Sequence, residues 1–225
     1  VGPVNLSLTN TLNISSGDLH LSNSVSGSGG FIKIGARTLF LHAANTYAGP
    51  TIISAGKVVL GAEGTLGSGD LVEFRGAGTL DMSASGEELT LGSGGALIGV
   101  HGATVVGNVN LQNGATFDVG KGQPGVVTVD GDLSLSGVTV QTVLGPDPAD
   151  LTGSVNGLIR ITGTLAAAGV NTFVIETVGS LDNTTPYTVA QFDMNFSGSL
   201  ENFKAVSANP NYTFTFLDPY MTWPY

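Results

Sequence analysis

The chain has 225 residues, of which 34 are glycine and none is cysteine; 17 carboxylates against seven Lys and Arg give a formal net charge of −10. Glycine at about twice its usual share of roughly 7% argues against long helices, because each interior Gly costs about 1 kcal/mol relative to Ala. An apolar fraction of 41% excludes a disordered chain, and the carboxylate excess argues against nucleic acid or an anionic membrane surface as partner.

Without cysteine there are no disulfides, thiolate metal sites or cysteine nucleophiles. Residue 1 is Val, with no basic and apolar leader behind it, so any signal peptide is expected to be removed already or to lie outside this sequence. The longest stretch free of Asp, Glu, Lys and Arg, Leu89 to Phe117, is broken by Gly92, Ser93, Gly94, Gly95, Asn108 and Asn110. It lacks the sustained apolar run that a membrane helix needs.

In chain order, short apolar–polar alternations recur: Val4-Asn5-Leu6-Ser7-Leu8, Leu12-Asn13-Ile14, Leu19-His20-Leu21 and Thr38-Leu39-Phe40-Leu41. They continue through Lys57–Leu60, Thr79–Met82, Thr116–Val119 and Leu133–Ser136. Period-two runs punctuated by Gly, Asn, Asp and Ser read as strands joined by tight turns. The best helix candidate, Thr164 to Ala168, is stopped by Gly169 and is one turn at most. Central apolar positions Leu39, Val58, Leu80, Leu97 and Phe117 follow one another at intervals near twenty. That spacing predicts a β-solenoid of stacked coils, with these five residues on one inward wall and an irregular β-sandwich as the structural alternative.

Eleven of the sixteen aromatic residues lie from Phe173 onward. The reading therefore divides the chain into solenoid coils, 1–156, and an aromatic-rich C-terminal closing region, 157–225. The Gly145-Pro146-Asp147-Pro148-Ala149-Asp150 segment is expected to loop out before that boundary.

Residues 29–61 carry Gly29, Gly30, Lys33, Gly35, Leu39, Leu41, an Asn45-Thr46-Tyr47 turn, Gly49, Thr51, Ile52, Ala55-Gly56, Leu60 and Gly61. This pattern resembles the autotransporter-associated β-strand repeat of bacterial passenger domains; Ala48 and Pro50 depart from it within the turn. The resemblance implies an all-β, right-handed parallel β-helix, secreted or held at the bacterial cell surface, with a role in display or adhesion. Residues 157–217 look more weakly like the terminal part of such passengers.

The enzyme reading needs clustered carboxylates with a basic residue on one face. Asp70, Glu73, Arg75 and Asp81, followed by Glu87 and Glu88, come nearest. Alternation puts Glu73 and Arg75 opposite Phe74, so they read as a solvated surface pair. Asp118, Asp130 and Asp132 read as turn carboxylates, and Gly67-Ser68-Gly69-Asp70 is a single, out-of-register likeness to a calcium repeat. His20, His42 and His101 lie far apart, with no pair at ligand spacing. No catalytic residue, cofactor or metal is assigned. Tyr47 reads as the sole aromatic platform on the coil surface.

The expected function is a non-enzymatic extracellular structural or adhesive solenoid, with a carbohydrate-binding or carbohydrate-cleaving β-helix as the alternative and a surface glycan as a possible partner. End-to-end self-association is expected through Val4, Leu6 and Leu8 at one end and Tyr212, Phe214, Phe216, Tyr220, Trp223 and Tyr225 at the other. That contact is heterologous and propagates into a fibre unless its rotation closes a ring.

Overall fold

The computed structural model describes residues 2–216. Tyr220, Trp223 and Tyr225 lie outside the described residues.

The chain winds through three walls in a fixed order, one strand or corner per wall. The first coil is β1 (Val4–Asn5), β2 (Asn10–Asn13) and β3 (Leu19–Leu21). The second is β4 (Val25–Ser26), β5 (Phe31–Ile34) and β6 (Thr38–Leu41). Two shorter passes follow: β7 (Thr51–Ile53) with β8 (Lys57–Leu60), and β9 (Leu71–Phe74) with β10 (Thr79–Asp81). From β11 (Leu89–Leu91) the third wall is stranded again. β12 (Ala96–Gly99), β13 (Ala103–Val106) and β14 (Val109–Leu111) complete one coil, and β15 (Thr116–Val119), β16 (Gly125–Asp130) and β17 (Leu133–Ser136) the next. β18 (Thr139–Leu144), β19 (Gly157–Ile161), β20 (Leu165–Ala168), β21 (Asn171–Thr177), β22 (Ala190–Phe192), β23 (Phe196–Ser197) and β24 (Phe203–Ser207) finish the stack.

Every ladder is parallel. The long wall has nine strands, from β2 to β24, and the second wall eight, from β3 to β22. The third wall is the β1–β4 pair followed, further along, by five strands from β11 to β23. Between them the chain passes through corners tied by Thr46 N to Val25 O (2.8 Å), Ala48 N to Gly27 O (2.9 Å) and Ser68 N to Tyr47 O (2.9 Å). This is a parallel β-helix. Nine layers about 4.8 Å apart make it about 38 Å long.

The coil length is not constant. Thr38 pairs with Lys57, 19 residues on, and Leu71 with Ala96, 25 on. Beyond β18 the step lengthens to 33, as for Thr139 and Thr172. Two corner insertions supply the excess, 145–156 and 178–189. The coils themselves continue through residue 207 on the same three walls.

Inward residues are aliphatic and aromatic, and Leu39, Val58, Leu80, Leu97 and Phe117 are all fully buried. They do not share one wall, however. Leu39, Val58 and Leu80 stack on the second wall, whereas Leu97 and Phe117 stack on the long wall. Leu80 sits beneath Val105, 25 positions on, and Leu97 sits over Val72. A coil near twenty residues visits each wall once, so an interval of 17 from Leu80 to Leu97 crosses a corner and returns a similar count. Thr164 to Ala168 forms no helical turn: Leu165–Ala168 is strand β20, paired with β17. The sole helical element among the described residues is a 3-10 turn at Leu200–Asn202.

Candidate functional site

The corner formed by residues 44–51 shows how the local sequence serves the coil. Asn45 is buried, and its Oδ1 accepts from Val25 N (2.7 Å) in the layer before while Nδ2 donates to Thr65 O (2.6 Å) in the layer after. One amide side chain thus satisfies buried backbone groups in two neighbouring coils. Tyr47, expected on the surface, is wholly buried: its ring meets Phe31 edge-on at 5.4 Å and its hydroxyl hydrogen-bonds Thr51 Oγ1 (2.6 Å). The alternation through Asn45-Thr46-Tyr47 turns Tyr47 inward, into a space that Gly67 leaves open. A Cβ at Gly67 would collide with the Tyr47 carbonyl and ring.

Lys33 is also interior. Its ammonium donates to the carbonyls of Ile34 (3.1 Å), Gly35 (2.7 Å) and Ala55 (3.1 Å), tying one coil to the next at the corner. Burial pushes its pKa down, with the Asp18 charge opposing.

The outer face of the long wall carries the charged cluster singled out in the sequence. Glu73 does lie opposite Phe74, but it is not solvated. Only 3% of it is exposed, and its carboxylate is gripped by Arg75 Nη2 (2.9 Å) and Lys121 Nζ (2.6 Å). Burial alone would raise its pKa; the hydrogen bonds from Arg75 and Lys121 outweigh burial and hold it below the usual carboxylate range. Lys121 sits at φ +54° in the Gly120-Lys121-Gly122 turn, with its backbone N donating to Asp118 Oδ1 (2.9 Å). Burial pushes the Asp118 carboxyl up, and the Glu176 charge adds to that.

Asp81 faces the second wall's exterior and pairs with Lys57 at 2.6 Å. Asp70, Glu87 and Glu88 do not join Glu73 in a common cluster. Asp130 and Asp132 serve the coil stack, accepting from Thr162 Oγ1 (2.8 Å) and Thr164 N (2.7 Å) one layer on. Among the described residues, no three His, Asp or Glu side chains converge on a point where a metal ion could sit.

The structure does bring two distant histidines together. His20 Nδ1 and His42 Nε2 are 2.9 Å apart on the outside of the second wall. His101 is elsewhere, its Nδ1 accepting from Val126 N at 3.3 Å. Separation in sequence hid the pair: His20 lies opposite Phe40, so parallel pairing sets His42 two residues beyond that partner, on the same face.

The proposed end residues lie at opposite ends of the rod. Val4 pairs with Val25, Leu6 is buried in the core, and Leu8 is 74% exposed. At the other end Phe216 packs edge-on against Phe173 at 5.1 Å and lies 5.5 Å from Phe203. Tyr212 stacks near Phe214 and accepts Leu181 N at its hydroxyl (3.2 Å). Together with Phe192 and Phe196 these rings surround an open cavity of about 610 Å³ over the last coil.

The family model described as a passenger-associated-transport-repeat matches residues 31–60. The chain carries an autotransporter-associated repeat. In the structure that repeat begins with β5 and ends with β8, two consecutive passes over the long and second walls. The adhesin BmaC autotransporter of Brucella suis biovar 1 (strain 1330) is 32% identical over 134 residues. The match covers 56% of this chain and 4% of that adhesin. No solved structure matches the chain.

Proposed function

We propose that this chain is part of an extracellular, non-enzymatic adhesive rod of the passenger type. The observation that carries the reading is where the repeat's residues go. Lys33, Asn45, Tyr47, Gly49 and Gly56 are all spent on corners and interior packing, which makes the repeat a device for building length. In the charged cluster on the long wall, the buried Glu73 carboxylate is held as an ion-paired anion by Arg75 and Lys121. Likeness to an autotransporter adhesin supports the adhesive and surface-exposed reading.

Polystyrene beads coated with the purified chain test it. Beads are expected to bind cultured epithelial cells above an albumin control, and the chain is expected to release no reducing or unsaturated ends from acidic polysaccharides. Release of such ends, lost in a Glu73→Gln variant, would replace this reading with the carbohydrate-cleaving one.

Within the same proposal, rods stack end to end. The support is that β2 and β24 are the terminal strands of one wall among the described residues, and both belong to parallel ladders. A neighbouring strand there adds backbone hydrogen bonds worth about 0.5–1.5 kcal/mol each. Sedimentation over a hundredfold range of concentration is expected to give a rising mass; a constant monomer mass removes the stacking.

A further inference from the structure

We infer that His20 and His42 form a surface site for a divalent d-block cation such as Zn²⁺, held by two neutral imidazoles with water completing the coordination.

The two rings are held in one orientation. His20 lies over Phe40 with centroids 4.2 Å apart and planes 2° from parallel. His42 is within 7° of the His20 plane and 5° of the Phe40 plane. On its far side, His42 Nδ1 backs onto Gly61, where a Cβ would come within 2.7 Å of that nitrogen. Phe40 therefore sets the plane of the pair, and the missing side chain at 61 leaves room for the His42 ring. Parallel pairing of β3 with β6 fixes the spacing between the two backbones.

The spacing suits a shared cation. A tetrahedral ion with Zn–N bonds of about 2.0–2.1 Å needs its two ring nitrogens about 3.3 Å apart. A square-planar ion of the same size needs about 2.9 Å. The observed 2.9 Å is reached with the rings coplanar and a single proton shared between them. In that contact the two nitrogens point at one another, so binding the ion turns each ring by about 45° in its plane, bringing both lone pairs onto a common point outside the wall. His20 then carries its proton on Nε2 and His42 on Nδ1, so the neutral pair binds the ion without releasing a proton. Both side chains are exposed, which gives the ion and its waters an open approach. Imidazole nitrogen suits Zn²⁺, Cu²⁺ and Ni²⁺ and disfavours Ca²⁺ and Mg²⁺, which take oxygen ligands.

The test is a calorimetric titration of ZnCl₂ into the chain at pH 7.5, with MgCl₂ as the comparison salt. One saturable equivalent of Zn²⁺ is expected, with no heat from Mg²⁺. His20→Gln and His42→Gln should each weaken binding about tenfold or more, and His101→Gln should leave it unchanged. Long-range proton–nitrogen NMR should place the zinc-induced shifts on His20 Nδ1 and His42 Nε2. Both histidines are exposed, so far-UV circular dichroism is expected to be the same for all variants. Absence of saturable Zn²⁺ binding overturns the inference, as does binding that survives both substitutions or follows His101.

Discussion

Lys121 reaches back across 48 positions to Glu73, Nζ to Oε1 at 2.6 Å, and so pins the turn at 120–122 over a strand two layers away. The intervening layer is β12, whose Ile98 lies in register between Glu73 and Asp118. Lys121→Ala removes one of two cations from a buried carboxylate. Because the ammonium is half exposed, the expected loss is about 1 kcal/mol. Removing Arg75 as well should cost more than the sum of the single changes, since a buried charge then has no partner. Urea denaturation of the four species closes this cycle.

The same pair sets a pH signature whose sign can be inverted. In the native chain Glu73 titrates below its ordinary range. Its stabilising contribution is therefore present above the ordinary carboxylate pKa and lost as pH falls through the folded value. In the Arg75→Ala, Lys121→Ala double variant only burial acts, and burial raises a carboxyl. That variant should gain stability on acidification through the carboxylate range, relative to its own Glu73→Gln derivative. A stability difference that does not vary between pH 7 and pH 4 would contradict the clamp.

Asn45→Ala strips acceptors and donors from two coils at once. Val25 N and Thr65 O lose their partners inside a corner that water does not reach freely. Each orphaned group costs about 1–3 kcal/mol, so a loss of about 2–6 kcal/mol is expected. Asn45→Asp should be no better, because a carboxylate oxygen would face the Thr65 carbonyl. Denaturant midpoints for both variants, compared with exposed Asn5→Ala, check this.

Much of the coil was legible because it depends on local pattern. Leu39-Phe40-Leu41 and Leu133-Ser134-Leu135 alternate in sequence and alternate in burial. The intervals from Leu39 to Val58 and from Val58 to Leu80 are true layer steps, and residues 29–61 carry the repeat. What was hidden depends on register between layers. Glu73 reads as solvated because the lysine that covers it arrives from another coil. Tyr47 reads as exposed because its cover is the absence of a side chain at Gly67. His20 and His42 meet only once β3 and β6 are aligned, and the wall to which Leu97 belongs is set by corner lengths that vary.

Glycines at coil corners should divide sharply by environment. Gly67→Ala drives a Cβ into the carbonyl of Tyr47, a backbone atom that cannot swing aside. Gly86 has φ +66° and no heavy atom within 4 Å of its would-be Cβ, so Ala there meets only backbone strain. The strain of a non-Gly residue in that region is about 1–2 kcal/mol. Gly86→Ala is thus expected to fold with a modestly lowered denaturation midpoint. Gly67→Ala is expected to lose cooperative unfolding or fail to accumulate as folded protein.

Asp150 provides the sharpest acid-sensitive element outside the coils. Its two carboxylate oxygens collect Thr152 N (2.9 Å), the Thr152 hydroxyl, Val155 N (2.9 Å) and Asn156 N (3.1 Å), closing the 145–156 corner insertion on itself. Burial would raise the carboxyl, but the hydrogen bonds from the Thr152 side chain and the three backbone amides dominate and lower it to about 2. A depressed folded pKa means that the contribution is complete above the unfolded value near 4 and disappears as pH falls through about 2. Discounted for solvent around the loop, it is about 1–2 kcal/mol. Asp150→Ala should therefore be less stable than the native chain at pH 6, with the gap narrowing progressively between pH 4 and pH 2. Asp182, on the other corner insertion, whose carboxylate also accepts from a neighbouring threonine but from no residue further along the chain than Thr185, gives the control. Asp182→Ala should leave the midpoint nearly unchanged at both pH values. Equal acid sensitivity of the native and Asp150→Ala proteins would show that the corner insertion contributes nothing to the stability of the stack.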